Sequence, residues 1–180
     1  MKGIVFTELL EMVEARFGAD MVDDVLDDCS FVHDGAYTRI GTYDHHELLT
    51  IVAALAKRTS VSVRDLVYTY GHHLFERFRV MMPHFFDQPQ NAFEFLESVH
   101  NVVHVEVKKL YSDAQLPSLK VRDRSHRTLV LEYGSSCPFA DFAHGLICGC
   151  IDFFDEDIAV SYEDQNTPGC FGRVFRLEKV

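Results

Sequence analysis

The sequence predicts an α+β fold with a four-stranded antiparallel sheet. Up to about residue 111, apolar residues recur at helical spacings between glycine, proline and capping signals. Beyond that point, four short runs alternate apolar and polar residues, and one helical run interrupts them. Helices followed by strands are typical of α+β domains, whereas regularly alternating strands and helices would indicate an α/β fold.

The first predicted elements are two helices and a loop. The apolar pattern of "MKGIVFTELLEMVEARFG" predicts a helix that ends at Phe17-Gly18, and a short second helix is predicted over "DMVDDVLDDC". The segment "SFVHDGAYTRIGTY" has two glycines and no sustained periodicity. A loop is therefore predicted there.

Two longer helices are predicted from their N-terminal capping signals. Asp44 followed by Glu47 resembles a capping box that opens a helix through "HHELLTIVAALAKRTS", and Ser62 with Asp65 marks the start of the next helix. Gly71 lies inside this second helix, where a glycine costs roughly 1 kcal/mol relative to alanine. Such a cost indicates close packing or a hinge, and the remaining interpretation is a glycine that is merely tolerated.

The second half of the chain is predicted to contain a long helix, a hairpin, a further helix and two strands. The prolines of "MMPHFFDQPQN" precede a helix over about residues 90 to 111, and Leu116-Pro117 ends the turn that follows. "SLKVRD" and "TLVLEYGS" predict an antiparallel hairpin, and the next helix is predicted from about Pro138 to Phe154. "DIAVSYED" and "GRVFRLEKV" complete the predicted sheet.

Composition excludes several classes of protein. The 180 residues suit one domain, 1–180, divided into a helical lobe over about 1–60 and a mixed lobe over about 61–180. A formal charge of −11 argues against nucleic-acid binding, and no apolar run is long enough to span a membrane. Glutamates interrupt the apolar N-terminal run, unlike a signal peptide, and the five irregularly spaced cysteines are expected to be reduced. We therefore expect a cytoplasmic protein.

His100 and His104 lie four residues apart on the predicted long helix, within "VHNVVHVEVKKLYSDAQLP". At about 100° per residue, both fall on or beside the apolar face that includes Leu96 and Val103. They could be structural residues, an i, i+4 zinc pair or, singly, the ligand of a haem iron. The intervening "NVV" lacks the glutamate of a zinc protease, and spacing alone does not decide between the other interpretations.

Four segments together resemble the H-NOX family, haem domains that sense nitric oxide or oxygen. "MKGIVFTELLEMVEARFG" resembles its N-terminal helix, "YGHHLF" its hinge segment and "HVEVKKLYSDAQLP" its proximal-helix signature. "LEYGSS", followed by "FAHGLICG", resembles the strand and helix that hold the porphyrin. The resemblance covers nearly the whole chain and implies the H-NOX fold of a stand-alone bacterial member, with haem b (iron protoporphyrin IX) between two lobes.

Residue by residue, the resemblance makes His104 the proximal iron ligand. Pro117 matches the proline that presses on the porphyrin and distorts it, and Gly71 matches the hinge between the lobes. Tyr133 and Ser135 match the first two side chains of a Tyr-x-Ser-x-Arg motif that binds the haem propionates. The resemblance assigns no role to His100.

The third residue of that motif departs from the family, because Cys137 stands where arginine is expected. Arginine is the strong bidentate partner of a carboxylate, so its loss is expected to weaken haem retention by about ten- to a hundredfold. Arg122, Arg124 and Arg127 of the predicted hairpin are candidate replacements.

The resemblance also predicts which gas is bound. Oxygen-binding members stabilise the ligand with a distal tyrosine hydroxyl, and the matching residue here is Phe142. The other matching distal residues are also apolar: Val5, Leu74, Phe78 and Leu146. This implies selectivity for NO, with CO also bound and no stable oxygen complex.

A signalling mechanism and partners follow from the same resemblance. NO would break the bond between iron and His104, let the porphyrin relax away from Pro117 and allow the lobes to rotate about Gly71. No kinase, cyclase or phosphodiesterase segment is recognisable in the sequence. The signal is therefore expected to pass to a separate protein, either the histidine kinase of a two-component system or a diguanylate cyclase or phosphodiesterase of cyclic-di-GMP signalling.

Two alternatives stay open at this level. Cys137, Cys148, Cys150 and Cys170 could form a haem-independent zinc or thiol redox site, although Cys148 and Cys150 diverge by about 200° on a helix. The chain could also be a cofactor-free interaction module with structural histidines. An enzyme is not expected, because neither a glycine-rich phosphate loop nor a G-x-S-x-G motif is present.

Overall fold

The computed structural model of the chain describes residues 1–31 and 33–180. The helices are α1 (Ile4–Phe17), α2 (Ala19–Asp27), α3 (His45–Thr59), α4 (Val63–Met81), α5 (Ala92–Ser98), α6 (His104–Leu110) and α7 (Ala140–Phe153). The strands β1 (Ser118–Arg124), β2 (Thr128–Ser135), β3 (Ile158–Asp164) and β4 (Phe171–Lys179) form one antiparallel sheet in the order β1-β2-β4-β3. The predicted α+β class and four-stranded antiparallel sheet are confirmed.

The segment predicted as a loop between α2 and α3 contains only turns and an isolated bridge in its described part, and Val32 lies outside the described residues. Across the described residues, none of the helices has the length and apolar character needed to cross a membrane.

The two predicted capping signals differ in how they are satisfied. Ser62 accepts a hydrogen bond at 3.0 Å from the backbone N–H of Asp65 and caps α4 as predicted. Asp44 caps α3 by accepting from the N–H of His46 at 3.0 Å, but Glu47 does not complete the box. Its carboxylate instead accepts a hydrogen bond from the Tyr37 hydroxyl and contacts the His33 ring, each at 2.8 Å. Glu47 therefore bonds to side chains of the preceding loop instead of completing the capping box of its own helix.

The long helix predicted over about residues 90 to 111 is not a uniform α-helix. A five-residue π-helical segment, Val99–Val103, separates α5 from α6. The N–H of His104 donates to the carbonyl of Val99, five residues back, rather than to that of His100. Such wide turns inside α-helices occur frequently at functional sites.

Buried side chains form two core clusters that meet along α4. The first joins α1, α2 and α3 to the first half of α4, with Phe6, Leu55 and Leu74 fully buried. The second lies between the sheet, α5 and α7 and includes Phe75 and Phe175. The change of cluster falls between Leu74 and Phe75, and the lobe boundary near residue 60 stays a prediction.

Helices α4 and α7 cross at backbone distance because glycines face each other at the crossing. A Cβ on Gly71 would lie 2.2 Å from the carbonyl oxygen of Phe142, and one on Gly145 would lie 2.0 Å from that of Tyr68. No larger residue fits without moving backbone. The close-packing interpretation of Gly71 therefore has a structural basis, while its role as a hinge stays a prediction.

A buried carboxylate ties α1 to the second half of α4. Glu8 on α1 is fully buried, and its two oxygens contact the guanidinium groups of Arg39, at 2.9 Å, and Arg77, at 2.5 Å. Glu11 contacts the same two arginines, at 2.7 and 3.4 Å, but its side chain is 48% exposed. A buried charge of this kind is tolerated only because it is paired.

We expect Glu8→Gln to lower the free energy of unfolding by about 2 kcal/mol, because it removes charge-assisted contacts from a buried site and preserves the side-chain shape. Glu11→Gln is the matched control, since it loses contacts to the same arginines at an exposed position and should cost well under about 1 kcal/mol. Urea unfolding of both variants measures the difference. Equal midpoints would contradict the importance of the buried pair.

Candidate functional site

An apolar cleft lies between α4, the helix formed by α5 and α6, α7 and the end of the sheet. Its empty space is about 970 Å³ when counted out to its open mouth, which is at the upper end of the range for ligand pockets. Phenylalanine, leucine, valine, methionine and alanine supply most of the wall. The lining residues are Phe75, Phe78, Met82, Phe85, Phe86, Phe95, Leu96, Val99, Val103, His104, Val107, Leu116, Pro117, Leu119, Tyr133, Ala143, Leu146 and Ile147.

His104, at the first position of α6, contributes the one imidazole of this wall in the described part of the chain. Burial, followed by the proximity of His100, lowers the pKa of its ring to about 4, so the ring is neutral at physiological pH. Its Nδ1 is buried and has no hydrogen-bond partner among residues 1–31 and 33–180. A buried polar atom left without a partner is costly, and a ligand role is one recognised reason for it.

His100 lies near His104 but does not line the cleft. The two ring centroids are 6.3 Å apart and the planes are nearly perpendicular, at 75°. The Nδ1 of His100 is also buried without a described partner. The structure therefore separates the two histidines and places only His104 in the wall.

Two further predicted residues reach the same wall. Pro117 follows the loop after α6 and lines the cleft beside Leu116. Tyr133, near the end of β2, is buried against the cleft, and burial raises the pKa of its hydroxyl to about 12, so it stays a neutral hydrogen-bond donor. Ser135 is half-buried beyond it, and its hydroxyl accepts from the N–H of Cys137 at 3.0 Å.

The three candidate replacements for the missing arginine each have another partner in the structure, and their role stays a prediction. Arg122 donates to Glu132, Arg124 to Glu97 and Arg127 to the carbonyl of Lys179. β2 rises about 3.3 Å per residue, so its hairpin end, beside Arg124 and Arg127, lies roughly 23 Å from its Ser135 end.

The sequence analysis missed the arginine that lies opposite Tyr133. Arg173 on β4 is the cross-strand partner of Tyr133 and is 6% exposed. Its guanidinium donates to Asp164 and Asp141 and lies over the ring of Tyr162. The position of Arg173 beside Tyr133 follows only from the strand register. Its guanidinium is already paired with the two carboxylates.

The predicted distal residues divide into two groups. Phe78 and Leu146 line the cleft, whereas Val5, Leu74 and Phe142 pack in the first core cluster, which Leu146 also contacts. The sequence analysis also missed Tyr70, which is buried with its ring 5.3 Å from that of Phe142. The Tyr70 hydroxyl donates to the carbonyl of Val5 and is therefore already engaged.

The four C-terminal cysteines do not assemble a metal site in the described structure. Cys150 is buried in the second cluster, where burial raises the pKa of its thiol, and Cys137 packs beside the first. The one group of three or more ligating side chains found among the described residues is Asp44, His45 and His46. The cysteine zinc alternative thus has no geometric support.

A haem fits the residues that the cleft presents. A flat, largely apolar ring is compatible with the carbon-lined wall, and a neutral, unpartnered imidazole is the form that binds a metal. Tyr133 and Ser135 supply hydroxyl groups at one end of the cleft for carboxylate groups. The side-chain chemistry therefore agrees with haem except at Cys137, which has no charge to offer.

Comparisons with known proteins give a consistent result. Residues 2–162 match a family model described as haem-NO-binding. No functionally curated protein matches the sequence. The Fe(II) unliganded H-NOX protein from K. algicida is 34% identical, with a TM-score of 0.93, and the match covers 100% of this chain and 97% of that one. The H-NOX protein from S. oneidensis in its Fe(II)NO state is 27% identical, with a TM-score of 0.91 and coverage of 100% and 99%.

We expect the haem-free chain to lose stability on acidification, in part through His104. Its pKa of about 4 in the folded chain lies below the ordinary histidine value of 6.5. The unfolded chain therefore takes up a proton at this position between about pH 6.5 and 4 while the folded chain does not, and the free energy of unfolding falls by up to roughly 3 kcal/mol.

His104→Leu should remove this part of the pH dependence, because leucine suits the apolar wall and does not titrate. His126→Gln, at the exposed hairpin tip, should keep the full dependence. Urea unfolding between pH 7 and 4.5 provides the comparison. Identical pH profiles for wild type and His104→Leu would show that burial does not perturb this ring.

Proposed function

Because this chain belongs to the haem-NO-binding (H-NOX) family, we propose that it is a haem-based sensor of nitric oxide in which His104 is the protein ligand of the iron. One observation carries this proposal: the apolar cleft contains a neutral imidazole, His104, whose ring has no described hydrogen bond. The family match supports haem binding in general, and the cleft supports the choice of residue.

The protein's own residues have separate roles at the two ends of the cleft. When bound, haem would supply a ferrous iron that takes NO or CO. His104 would hold the iron, and Pro117 would pack against the ring. Tyr133 and Ser135 would donate hydrogen bonds to its carboxylate groups. The aromatic and aliphatic wall excludes water.

The apolar side chains in and beside the cleft favour the binding of NO and CO over the binding of oxygen. Bound oxygen needs a hydrogen-bond donor, and the lining residues Phe78 and Leu146 offer none. Phe142 is apolar as well, and the neighbouring Tyr70 hydroxyl is used by the Val5 carbonyl. NO and CO do not need such a donor, so they are the proposed ligands.

We propose that the signal passes through His104, which would hold the iron and links the cleft to the rest of the chain. His104 follows the π-helical segment and begins α6, so a movement of its side chain would act on both helical segments. Movement of the helix and of the loop at Pro117 would be passed through α4, with Gly71 as the pivot. We propose that a separate histidine kinase or cyclic-di-GMP enzyme receives this signal, and that this chain itself is not a catalyst.

A cytoplasmic location is part of the proposal. All five cysteines are free in the structure, and free thiols are typical of a reducing compartment.

We expect the ferrous, haem-loaded protein to show a Soret band that shifts on addition of NO. His104→Gly should abolish tight haem binding or remove the histidine-bound spectrum, because it deletes the iron ligand. Added imidazole should restore that spectrum by replacing the missing ring. Absorption spectra recorded under anaerobic conditions measure all three states.

The matched control for this experiment is His100→Gly, which removes the neighbouring ring from the same helix. It should keep both the Soret band and the NO response, because His100 does not line the cleft. Loss of the histidine-bound spectrum in His100→Gly but not in His104→Gly would overturn the assignment.

For gas selectivity, we expect no stable oxygen complex in air for the wild type. Phe142→Tyr should strengthen oxygen binding by about tenfold, because one hydroxyl donor contributes about 1 to 1.5 kcal/mol. Tyr70→Phe should leave gas binding unchanged, since that hydroxyl is already bonded to Val5. Oxygen dissociation rates test both variants, and a stable wild-type oxygen complex would contradict the proposed selectivity.

A further inference from the structure

Three ligating side chains converge where α3 begins, outside the haem cleft. The carboxylate oxygen Oδ1 of Asp44 lies 2.8 Å from Nδ1 of His46 and 3.3 Å from Nδ1 of His45. The two imidazole centroids are 4.0 Å apart, and one ligand atom from each of the three side chains lies within 4.8 Å of the others. The sequence analysis treated Asp44 only as a helix cap.

These distances are close to those around a small metal ion. Zinc binds imidazole nitrogen and carboxylate oxygen at about 2.0 to 2.2 Å, which places neighbouring ligand atoms of a tetrahedral site about 3.4 Å apart. The separation between Asp44 and His45 already has this value. The Asp44–His46 distance of 2.8 Å is shorter because these atoms are hydrogen-bonded to each other, and the His46 side chain, which is 73% exposed, would leave this hydrogen bond to complete the set.

The donor set also suits a metal. Asp44 offers a carboxylate oxygen, and His45 and His46 each offer an imidazole nitrogen. Both ligand types bind zinc.

The nearest cations are already paired with other groups. The ammonium group of Met1 donates to the carbonyl of Tyr43 at 2.7 Å, and Lys2 donates to Thr42 at 2.8 Å and contacts Asp113 at 3.3 Å. Asp44 and His45 line a polar crevice between these residues and the loop that leads to Pro117, along with Met1, Lys2, Thr42, Tyr43, Asp113, Ala114 and Gln115. None of the crevice residues lines the haem cleft.

We propose that Asp44, His45 and His46 form a second metal site, which takes a divalent transition metal of the zinc class and leaves the remaining positions to water. Two imidazoles and one carboxylate favour zinc, nickel or copper over calcium and magnesium, which need mainly oxygen ligands. The site is independent of the proposed haem function, and failure of either proposal leaves the other standing.

Calorimetric titration of zinc chloride into the haem-loaded 180-residue protein tests the proposal. We expect one zinc ion per chain and binding at least about tenfold weaker in His46→Gln, since even outer-shell changes cost 10- to 100-fold. Asp44→Asn should weaken binding while retaining the helix cap, because asparagine caps as well as aspartate. Calcium chloride should give no binding at the same concentrations.

Two controls separate this site from other zinc ligands. His126→Gln removes an exposed imidazole from the hairpin tip and should leave the affinity unchanged. The double variant Cys148→Ser with Cys170→Ser should also bind normally. The proposal is overturned if wild type binds no zinc, if His46→Gln binds as wild type does, or if zinc binding is lost in the cysteine variant.

Discussion

The burial of one imidazole in an apolar wall is the constraint on which the cleft depends. A proton on His104 would place a charge among carbon atoms, and this cost lowers the pKa of the ring to about 4. The same burial keeps the wall suited to the apolar face of a flat ring and keeps the nitrogen in its metal-binding form. The Nδ1 of His104 has no hydrogen-bond partner among the described residues, and a bound ion is one recognised explanation for a buried polar atom of this kind.

The walls around this imidazole are positioned by the crossing of α4 and α7. Up to Leu74, α4 packs in the first core cluster, and beyond it the helix supplies Phe75 and Phe78 to the cleft. α7 contributes Leu146 and crosses α4 so closely that a methyl group on Gly71 would meet the Phe142 backbone. Two backbones in direct contact cannot adjust separately. A shift of one wall therefore moves the other and also changes the first cluster, which couples the cleft to the lobe that carries α1.

The sequence predicts those parts of the fold that are determined by interactions between residues close together in the chain. Apolar periodicity and caps predicted the helices and strands, and the motif resemblance singled out His104, Pro117 and Tyr133, which line one cleft in the structure. Register, tertiary partners and backbone irregularity were not predictable in this way. The partners of Glu47 come from a loop, and the carboxylate partners of Arg173 come from β3 and α7. The π-helical turn at Val99–Val103 leaves no periodicity signal, because a window of five residues is too short to distinguish it from an α-turn.

Cys137, which stands where the family has arginine, would affect how strongly haem is held but not which gas the haem binds. At the end of the cleft near Tyr133 and Ser135, the side chains offer hydroxyl groups. The nearby guanidinium of Arg173 is paired with two carboxylates. One missing charge-assisted contact is worth about 1.5 to 3 kcal/mol, which is a ten- to hundredfold loss of affinity. In the proposed function, that loss would act on the carboxylate edge of the ring, whereas gas binding would depend on His104 and the apolar side chains of the cleft. Haem retention and gas selectivity would then be controlled at different ends of one cleft, and a change at Cys137 would alter the first without altering the second.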